Sequence, residues 1–314
     1  MLLYSHPDCL NHHMGPGHPE RPERLSALLD HLQTTGLLDR LSPRTPQPCR
    51  RQDLQRVHVP RYLDRLQALD PESGLVALDP DTAMGPGSLG AAALAAGAVV
   101  DAVRAVLPRV RSGDVTDESD DRRAFCAVRP PGHHAEPGAA MGFCIYNNVA
   151  IGAAAALAEP GVERVAILDF DVHNGNGTIA AFEHRPEVLV CSTFQHPFYP
   201  HRFFASAAAN VICTPLPAGT GSAAYRAAIE RDWLPALDAH RPQLILVSAG
   251  FDGHRLDPLA ELNLETDDYF WLGRIVAEAS NRYTQGRNVS TLEGGYHLTA
   301  LAESAAAYIE ALLT

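Results

Sequence analysis

The sequence predicts an α/β fold in which a central parallel sheet is covered by helices on both faces. From residue 124 onward, short apolar runs alternate with polar loops and helical segments. This order is typical of parallel strands joined by helical crossovers. The run Val165-Ala-Ile-Leu168 has the length and composition of a strand that is buried on both faces. The expected strands cover residues 2–4, 124–128, 165–171, 188–193, 244–248 and 289–292.

Helices are expected between these strands. Pro22 suits the first turn of a helix that ends near Thr34. The apolar segment 89–107 carries Asp101 and Arg104, which favours a buried or amphipathic helix over a membrane span. The other expected helices cover residues 54–69, 147–158, 178–184, 222–239, 267–284 and 298–313.

Composition limits the class of protein. The 314 residues are 46% hydrophobic, and no linker or repeat divides them, so one domain over residues 1–314 is expected. The net charge of −12 argues against nucleic-acid binding, which needs clustered Lys and Arg. The six cysteines form no C-x-x-C pair, and the amino terminus lacks a signal-peptide pattern. We therefore expect reduced thiols and a cytoplasmic location.

One predicted strand ends in three groups that can bind a metal. Asp169, Asp171 and His173 alternate, so their side chains point to the same side of an extended segment. Carboxylate and imidazole suit a divalent cation, with zinc as the leading candidate. By itself the pattern fits equally well a strand-end loop with a capping Asp.

Polar groups also follow four other predicted strands. The carboxyl ends of parallel strands meet at one edge of the sheet, where active sites of such folds lie. Five strand ends with polar groups are hard to explain by solubility alone, so an active site is expected there. The groups at the other four ends are residues 129–134, Ser192, Asp252 and residues 293–296.

Five motifs in this order resemble the histone deacetylase family, most closely its class II and bacterial amidohydrolase branches. His18-Pro-Glu20 and Asp81-Thr82 also fit. The resemblance implies the arginase–deacetylase fold, a single α/β domain with a central parallel sheet of about eight strands. The motifs are Arg129-Pro-Pro-Gly-His-His-Ala135, Gly142-Phe-Cys-Ile-Tyr-Asn-Asn148, Asp169-Phe-Asp-Val-His173, Gly250-Phe-Asp252 and Leu292-Glu-Gly-Gly-Tyr296.

The resemblance implies one zinc ion per chain, bound by Asp171, His173 and Asp252. Two anionic ligands donate charge to the metal and weaken it as a Lewis acid, so neighbouring bases are needed. A second cation, potassium, is implied at the backbone carbonyls of Asp169, Asp171 and His173 together with Ser192.

The resemblance also implies a pair of catalytic histidines. His133 would be hydrogen-bonded by Asp169, and His134 by Asn176. We favour His133 as general base and His134 as general acid, a division that the sequence does not settle. Tyr296 would donate a hydrogen bond to the substrate carbonyl and then to the tetrahedral oxyanion.

A narrow substrate channel is implied next to these groups. Phe143 and Tyr199 would be its aromatic walls, although either could be an ordinary core residue. Gly142 and Gly294 would line the channel, and Arg24 matches the arginine of the family's inner acetate-exit channel.

The chain departs from the family at Asn174, where the second histidine of Asp-x-His-His-Gly is usual. Residue 174 is not a zinc ligand, so metal binding is expected to survive, while the packing behind the site is in doubt. Gly175 excludes the further Asp that an arginase-like site with two metals needs.

We expect a zinc-dependent hydrolase that removes acetyl or another short acyl group from a lysine-like amine. Two alternatives stay open: a deacylase of acetylpolyamines or other small molecules, and a catalytically silent protein that binds acyl-lysine. The expected partner is an acylated lysine or polyamine, with no nucleic acid and no membrane. The sequence leaves homo-oligomer formation open.

Overall fold

The computed structural model describes residues 1–107, 109–111, 114–116, 121–203 and 205–314. Within these residues an eight-stranded parallel sheet forms the centre, in the order β10-β9-β8-β11-β12-β7-β1-β2. The strands, in chain order, are β1 (Leu2–Tyr4), β2 (Ser42–Arg44), β3 (Val76–Ala77), β4 (Ala83–Met84), β5 (Arg109–Arg111), β6 (Asp114–Thr116), β7 (Arg123–Cys126), β8 (Val165–Asp169), β9 (Val188–Gln195), β10 (Val211–Leu216), β11 (Leu244–Ala249) and β12 (Asn288–Leu292). Strands β3 with β4, and β5 with β6, form separate antiparallel pairs.

Helices cover both faces of the sheet. Helices α4, α5 and α6 pack on one face, and α1, α7, α8 and α9 pack on the other. This arrangement confirms the predicted α/β fold. The helices are α1 (Glu23–Thr34), α2 (Arg51–Leu54), α3 (Pro60–Leu69), α4 (Ser88–Val106), α5 (Asn148–Ala156), α6 (Asn176–Phe182), α7 (Ser222–His240), α8 (Thr266–Tyr283) and α9 (Leu298–Leu313), with short 3₁₀ turns at Pro7–Asn11 and Leu37–Arg40.

The four central strands β8, β9, β11 and β12 are buried along their whole length. Each buried Val, Leu or Ile side chain contributes about 1.5–3 kcal/mol relative to an exposed one. Their register is fixed across the sheet, so that Asp169 lies level with Ser192 of β9 and Ser248 of β11. The polar residues that follow these strands therefore meet at one edge.

Helix α4 is long and apolar enough to cross a membrane by length and composition alone. In the fold, 72% of its most apolar window is buried. Its small residues allow close packing: a Cβ added at Gly97 would lie 1.9 Å from the carbonyl oxygen of Gln47. These features are typical of a core helix.

Two sequence predictions were wrong in detail. The helix expected over residues 54–69 is divided into α2 and α3, because Val59 precedes Pro60 and has extended backbone (φ −66°, ψ 143°). Strands β2 and β10 were not predicted. They are the two edges of the sheet and contain Pro43 and Pro215, which edge strands tolerate.

Candidate active site

Asp171, His173 and Asp252 form the centre of the site. Each offers one ligand atom, all three residues are buried, and these atoms lie within 4.8 Å of one another. The first two follow β8, and Asp252 follows the neighbouring strand β11. Asp169, which alternates with them in the sequence, is not part of this group and contacts the histidine pair instead.

The ligand atoms of these three residues fit a bound cation. The buried Asp252 Oδ2 has no hydrogen-bond donor among the described residues, although His173 Nδ1 lies 3.2 Å away. Burial and the neighbouring Asp171 raise the pKa of Asp252 to about 7. The pKa of His173 rises to about 10, because the nearby carboxylates of Asp171 and Asp252 outweigh its burial. A proton on His173 therefore offsets negative charge of the Asp171 and Asp252 carboxylates. A bound divalent ion would offset the same charge.

Backbone shapes this centre closely. The N–H of Gly294 donates to Asp171 Oδ2 at 2.8 Å, and the N–H of Val172 donates to Asp252 Oδ1 at 2.9 Å. A Cβ added at Gly294 would lie 2.0 Å from Asp252 Oδ2. Only glycine lets the β12 end approach both carboxylates so closely.

The histidine pair lies beside the metal-ligand group. His133 Nδ1 donates to Asp169 Oδ2 at 2.9 Å, and His134 Nδ1 to Asn176 Oδ1 at 2.7 Å. The two imidazole rings are 4.0 Å apart, and the His134 ring is 5.7 Å from that of His173. Both hydrogen bonds inferred from the resemblance are therefore present.

The two histidines differ in protonation. Burial opposes a proton on His133, but Asp169 and Asp171 outweigh it and hold its pKa well above the usual value. Burial, with the charges of His133 and His173, holds the pKa of His134 well below its usual value. These shifts favour a positive charge on His133 and a neutral His134. His134 bonds Asn176 through Nδ1–H, so its Nε2 has a free lone pair.

The family described as "Histone deacetylase domain" matches residues 18–312. The chain belongs to the histone deacetylase family. The family and the named relatives support deacetylase or amidohydrolase activity for this chain.

Individual relatives agree with this assignment. A histone deacetylase-like amidohydrolase of Pseudomonas aeruginosa is 41% identical, over 89% of this chain and 73% of the relative. The human polyamine deacetylase HDAC10 is 34% identical, over 99% of this chain and 46% of the relative. The crystal structure of the HDA15 HD domain superposes with a TM-score of 0.90 at 32% identity, covering 99% of this chain and 87% of that one.

Two buried acids near the family's site residues have contacts that the sequence did not predict: Glu293, which was placed at the active-site edge without a role, and Asp257, which was not singled out. Glu293 Oε2 accepts the backbone N–H groups of Gly132 and His133 at 2.6 and 3.1 Å. Burial is the largest cause that raises the pKa of Glu293 to about 7. Asp257 Oδ2 accepts the N–H of Tyr296 at 2.7 Å. Both acids accept backbone N–H groups, and the place of Glu293 in Leu292-Glu-Gly-Gly-Tyr296 is the signal that could have drawn attention to it.

Tyr296 lies over Arg24, whose guanidinium carbon is 4.9 Å from the ring centroid. Arg24 is fully buried and donates to the backbone oxygens of Gly295 and Glu293 at 2.6 and 2.5 Å, as well as to Glu20. Arg24 therefore supports the segment that carries Tyr296. Its place in an acetate-exit channel stays a prediction.

Aromatic rings contact the residues of the site. Phe143, at a left-handed φ of 68°, meets Tyr296 edge-on at 5.9 Å. Tyr199 meets His134 edge-on at 5.1 Å. Phe198, which the sequence did not single out, stacks on His173 at 5.2 Å. A Cβ added at Gly142 would lie 2.3 Å from the His134 ring, so only glycine lets this backbone pack against that ring.

Ser192 and Asn174 complete the predicted set. Ser192 is fully buried, and its Oγ has no hydrogen-bond partner among the described residues. An unpartnered hydroxyl level with Asp169 fits a cation ligand, while the identity of that cation as potassium stays a prediction. Asn174 is buried outside the metal-ligand group and donates to the backbone oxygen of Phe203 at 3.2 Å.

Proposed function

We propose that the protein is a zinc-dependent deacetylase that hydrolyses the amide of acetyl-lysine or a similar acylated amine to free amine and acetate. The observation that carries this proposal is the convergence of the Asp171–His173–Asp252 group with His133, His134 and Tyr296, whose hydroxyl is acted on by the charges of Asp171 and Asp252. A catalytically silent protein that only binds acyl-lysine would not need the side chains of His133, His134 and Tyr296.

The three ligands would hold one zinc ion. Bound zinc would polarise the substrate carbonyl and lower the pKa of the attacking water. Binding needs a neutral His173, so it releases the proton that the two carboxylates hold there. Gly294 keeps Asp171 in place through its N–H.

The histidine pair would move two protons, one from water and one to the leaving amine. His134 Nε2 has a free lone pair, and the carboxylates of Asp169 and Asp171 favour the charged form of His133. This favours His134 as the base. The division favoured from the sequence, with His133 as base, requires the pKa of His133 to fall once a cation neutralises Asp171. Rate–pH profiles of His133→Ala and His134→Ala distinguish these two assignments. Loss of the base removes the rise of the rate at low pH, and loss of the acid removes its fall at high pH.

Tyr296 would donate its hydroxyl proton to the developing oxyanion as a hydrogen bond. Burial holds the pKa of Tyr296 well above its usual value, so the hydroxyl keeps its proton. The Tyr296 N–H is held by Asp257, and the ring rests on Arg24. Phe143 and Tyr199 would enclose an aliphatic stem and exclude water from it.

The experiment is acetate release by zinc-loaded protein from acetyl-lysine peptides and from acetylpolyamines. Release that a chelator abolishes would support the proposal. The similarity to a polyamine deacetylase supports acetylpolyamines as the second candidate substrates, and the ranking within the panel separates the two. No release from a protein with one bound zinc would contradict both candidates.

We also propose that residues 1–314 act as one catalytic domain in the cytoplasm, with potassium at Ser192. The six free cysteines support a reducing compartment. The unpartnered Ser192 hydroxyl supports the second cation. Sedimentation of the purified protein tests for a homo-oligomer, and metal analysis after dialysis against potassium or sodium tests the cation.

A further inference from the structure

The segment of residues 196–203, here called the channel-wall segment, follows β9 and carries Phe198 and Tyr199. The Phe198 ring stacks on His173, with the two planes 20° apart. The Tyr199 ring meets His134 edge-on. The position of this segment therefore decides how wide the channel is beside a metal ligand and a catalytic histidine.

Part of this segment has a backbone conformation that needs support. His201 and Phe203 have φ angles of 60° and 55°, in the left-handed region that residues with side chains seldom adopt. Such conformations persist where surrounding contacts hold them. The channel-wall segment therefore depends on its tethers to the rest of the fold.

Asn174 supplies one tether. Its side chain is 1% exposed, and Nδ2 donates to the Phe203 backbone oxygen at 3.2 Å. Cys213 Sγ lies 3.3 Å from the same oxygen, and the Phe203 ring packs on the main core. Asn174 directly follows His173, so this hydrogen bond ties the end of the segment to the chain that provides a metal ligand.

Glu136 supplies a second tether. Its Oε1 accepts Arg202 Nη1 at 2.7 Å and Asn176 Nδ2 at 2.8 Å. Asn176 in turn accepts the Nδ1–H of His134. The channel-wall segment is thus connected at adjacent residues, 202 and 203, to both parts of the site.

We propose that Asn174 is a positioning residue that holds the channel-wall segment against the metal centre and thereby sets the affinity for the aliphatic stem of the substrate. The second part rests on the proposed deacetylase function. Asn174 does not touch the reacting atoms, so its effect falls mainly on KM. The residue usual in the family, His, also offers an N–H donor at this position.

The test compares zinc-loaded wild-type, Asn174→Ala and Asn174→His proteins. Amide hydrogen exchange over residues 196–203 reports on the segment without any turnover. We expect faster exchange there in Asn174→Ala, and a KM for acyl-amine substrates raised about 3- to 10-fold, the loss of one neutral hydrogen bond, with kcat nearly unchanged. Asn174→His should restore both. Asn263→Ala is the control for loss of the same kind of hydrogen bond at an exposed position, because its Nδ2 also donates to a backbone oxygen, that of Gly219, at 3.2 Å.

Unchanged exchange in Asn174→Ala would overturn the positioning role, whatever the activity. Faster exchange with unchanged KM would overturn the effect on the substrate. If the wild type hydrolyses no acyl-amine, the deacetylase function and its KM consequence fail, while exchange still decides the positioning role. Arg202→Gln provides a second variant should Asn174→Ala not fold, because it removes the Arg202–Glu136 pair. It should change exchange and KM in the same direction. Arg274→Gln, which removes the exposed Arg274–Glu278 pair, is its control and should change neither.

Discussion

The carboxylate of Glu293 lies 3.1 Å from the backbone nitrogen of His133 and accepts its N–H. Glu293 directly follows β12, and His133 belongs to the loop after β7, the neighbouring strand. Both side chains are buried. A buried acid at the active-site edge thus serves to position the histidine loop.

Glu293→Ala should lower kcat by about 10- to 100-fold with little change in KM, because a catalytic group displaced by about 1 Å loses up to 10²-fold. Glu293→Gln should keep much of the activity, since an amide oxygen still accepts both N–H groups. Steady-state kinetics on zinc-loaded proteins measures this effect. Wild-type kcat in Glu293→Ala would refute the positioning role.

His134→Ala and Tyr296→Phe should each lower kcat by about 10²- to 10³-fold, through loss of a proton-transfer group and of an oxyanion donor. Neither residue is in the metal-ligand group, so bound zinc should stay near one per chain. His297→Ala is the control beside Tyr296, since His297 caps helix α9. Turnover equal to wild type in either variant would remove that residue from the mechanism.

Zinc should raise the melting temperature of the wild type by several degrees. Asp171 and Asp252 repel one another, and a ligand at about 100 times its Kd adds about 2.7 kcal/mol to stability. Asp252→Ala should lose most of this shift. Differential scanning calorimetry with zinc and with chelator measures both proteins. A shift of equal size in the variant would place the stabilising metal elsewhere.

The free energy of unfolding should fall as pH decreases from 6.5 to 4, in part because of His58. Its Nδ1–H donates to the Glu136 backbone oxygen, and its Nε2 accepts the Asn147 N–H, a bond that needs neutral imidazole because a protonated Nε2 cannot accept. Burial lowers the pKa of His58 to about 4, so the unfolded chain takes up a proton first. This group contributes its full stability above pH 6.5.

The pH dependence from His58 is on the order of 3 kcal/mol. Chemical denaturation across this range should show a smaller decrease for His58→Gln than for wild type. His184→Gln is the control, because the His184 side chain is 89% exposed. Identical slopes for wild type and His58→Gln would contradict the role of His58.

Sequence patterns found the parts of the fold that depend on local composition. Buried central strands are continuous apolar runs, so β8 and β11 were predicted and their ends placed Asp171 and Asp252 at one edge. The edge strand β10 was missed because its partly exposed residues give no such run. Alternation grouped Asp169 with the metal ligands, and only the resemblance paired it correctly with His133.

Tertiary contacts explain the remaining differences. Glu293 and Asp257 bind backbone N–H groups that are distant in sequence, and a sequence does not show which N–H groups are left unpaired. Phe198 faces His173 because of the conformation of the following residues. No short-range pattern encodes these relationships.

The metal ligands and the catalytic pair come from loops after β7, β8 and β11, and Tyr296 comes from the end of β12. Strand β12 lies between β7 and β11, so the histidine loop reaches the ligand group only after β12 has docked. The metal ligands follow the adjacent strands β8 and β11, so their grouping does not depend on β12, whereas the complete catalytic site does. Tyr296 is synthesised after every other group of the site. A chain that ends before β12 lacks Tyr296 and the strand that brings the histidine loop to the ligands, so we expect it to bind zinc without hydrolysing substrate.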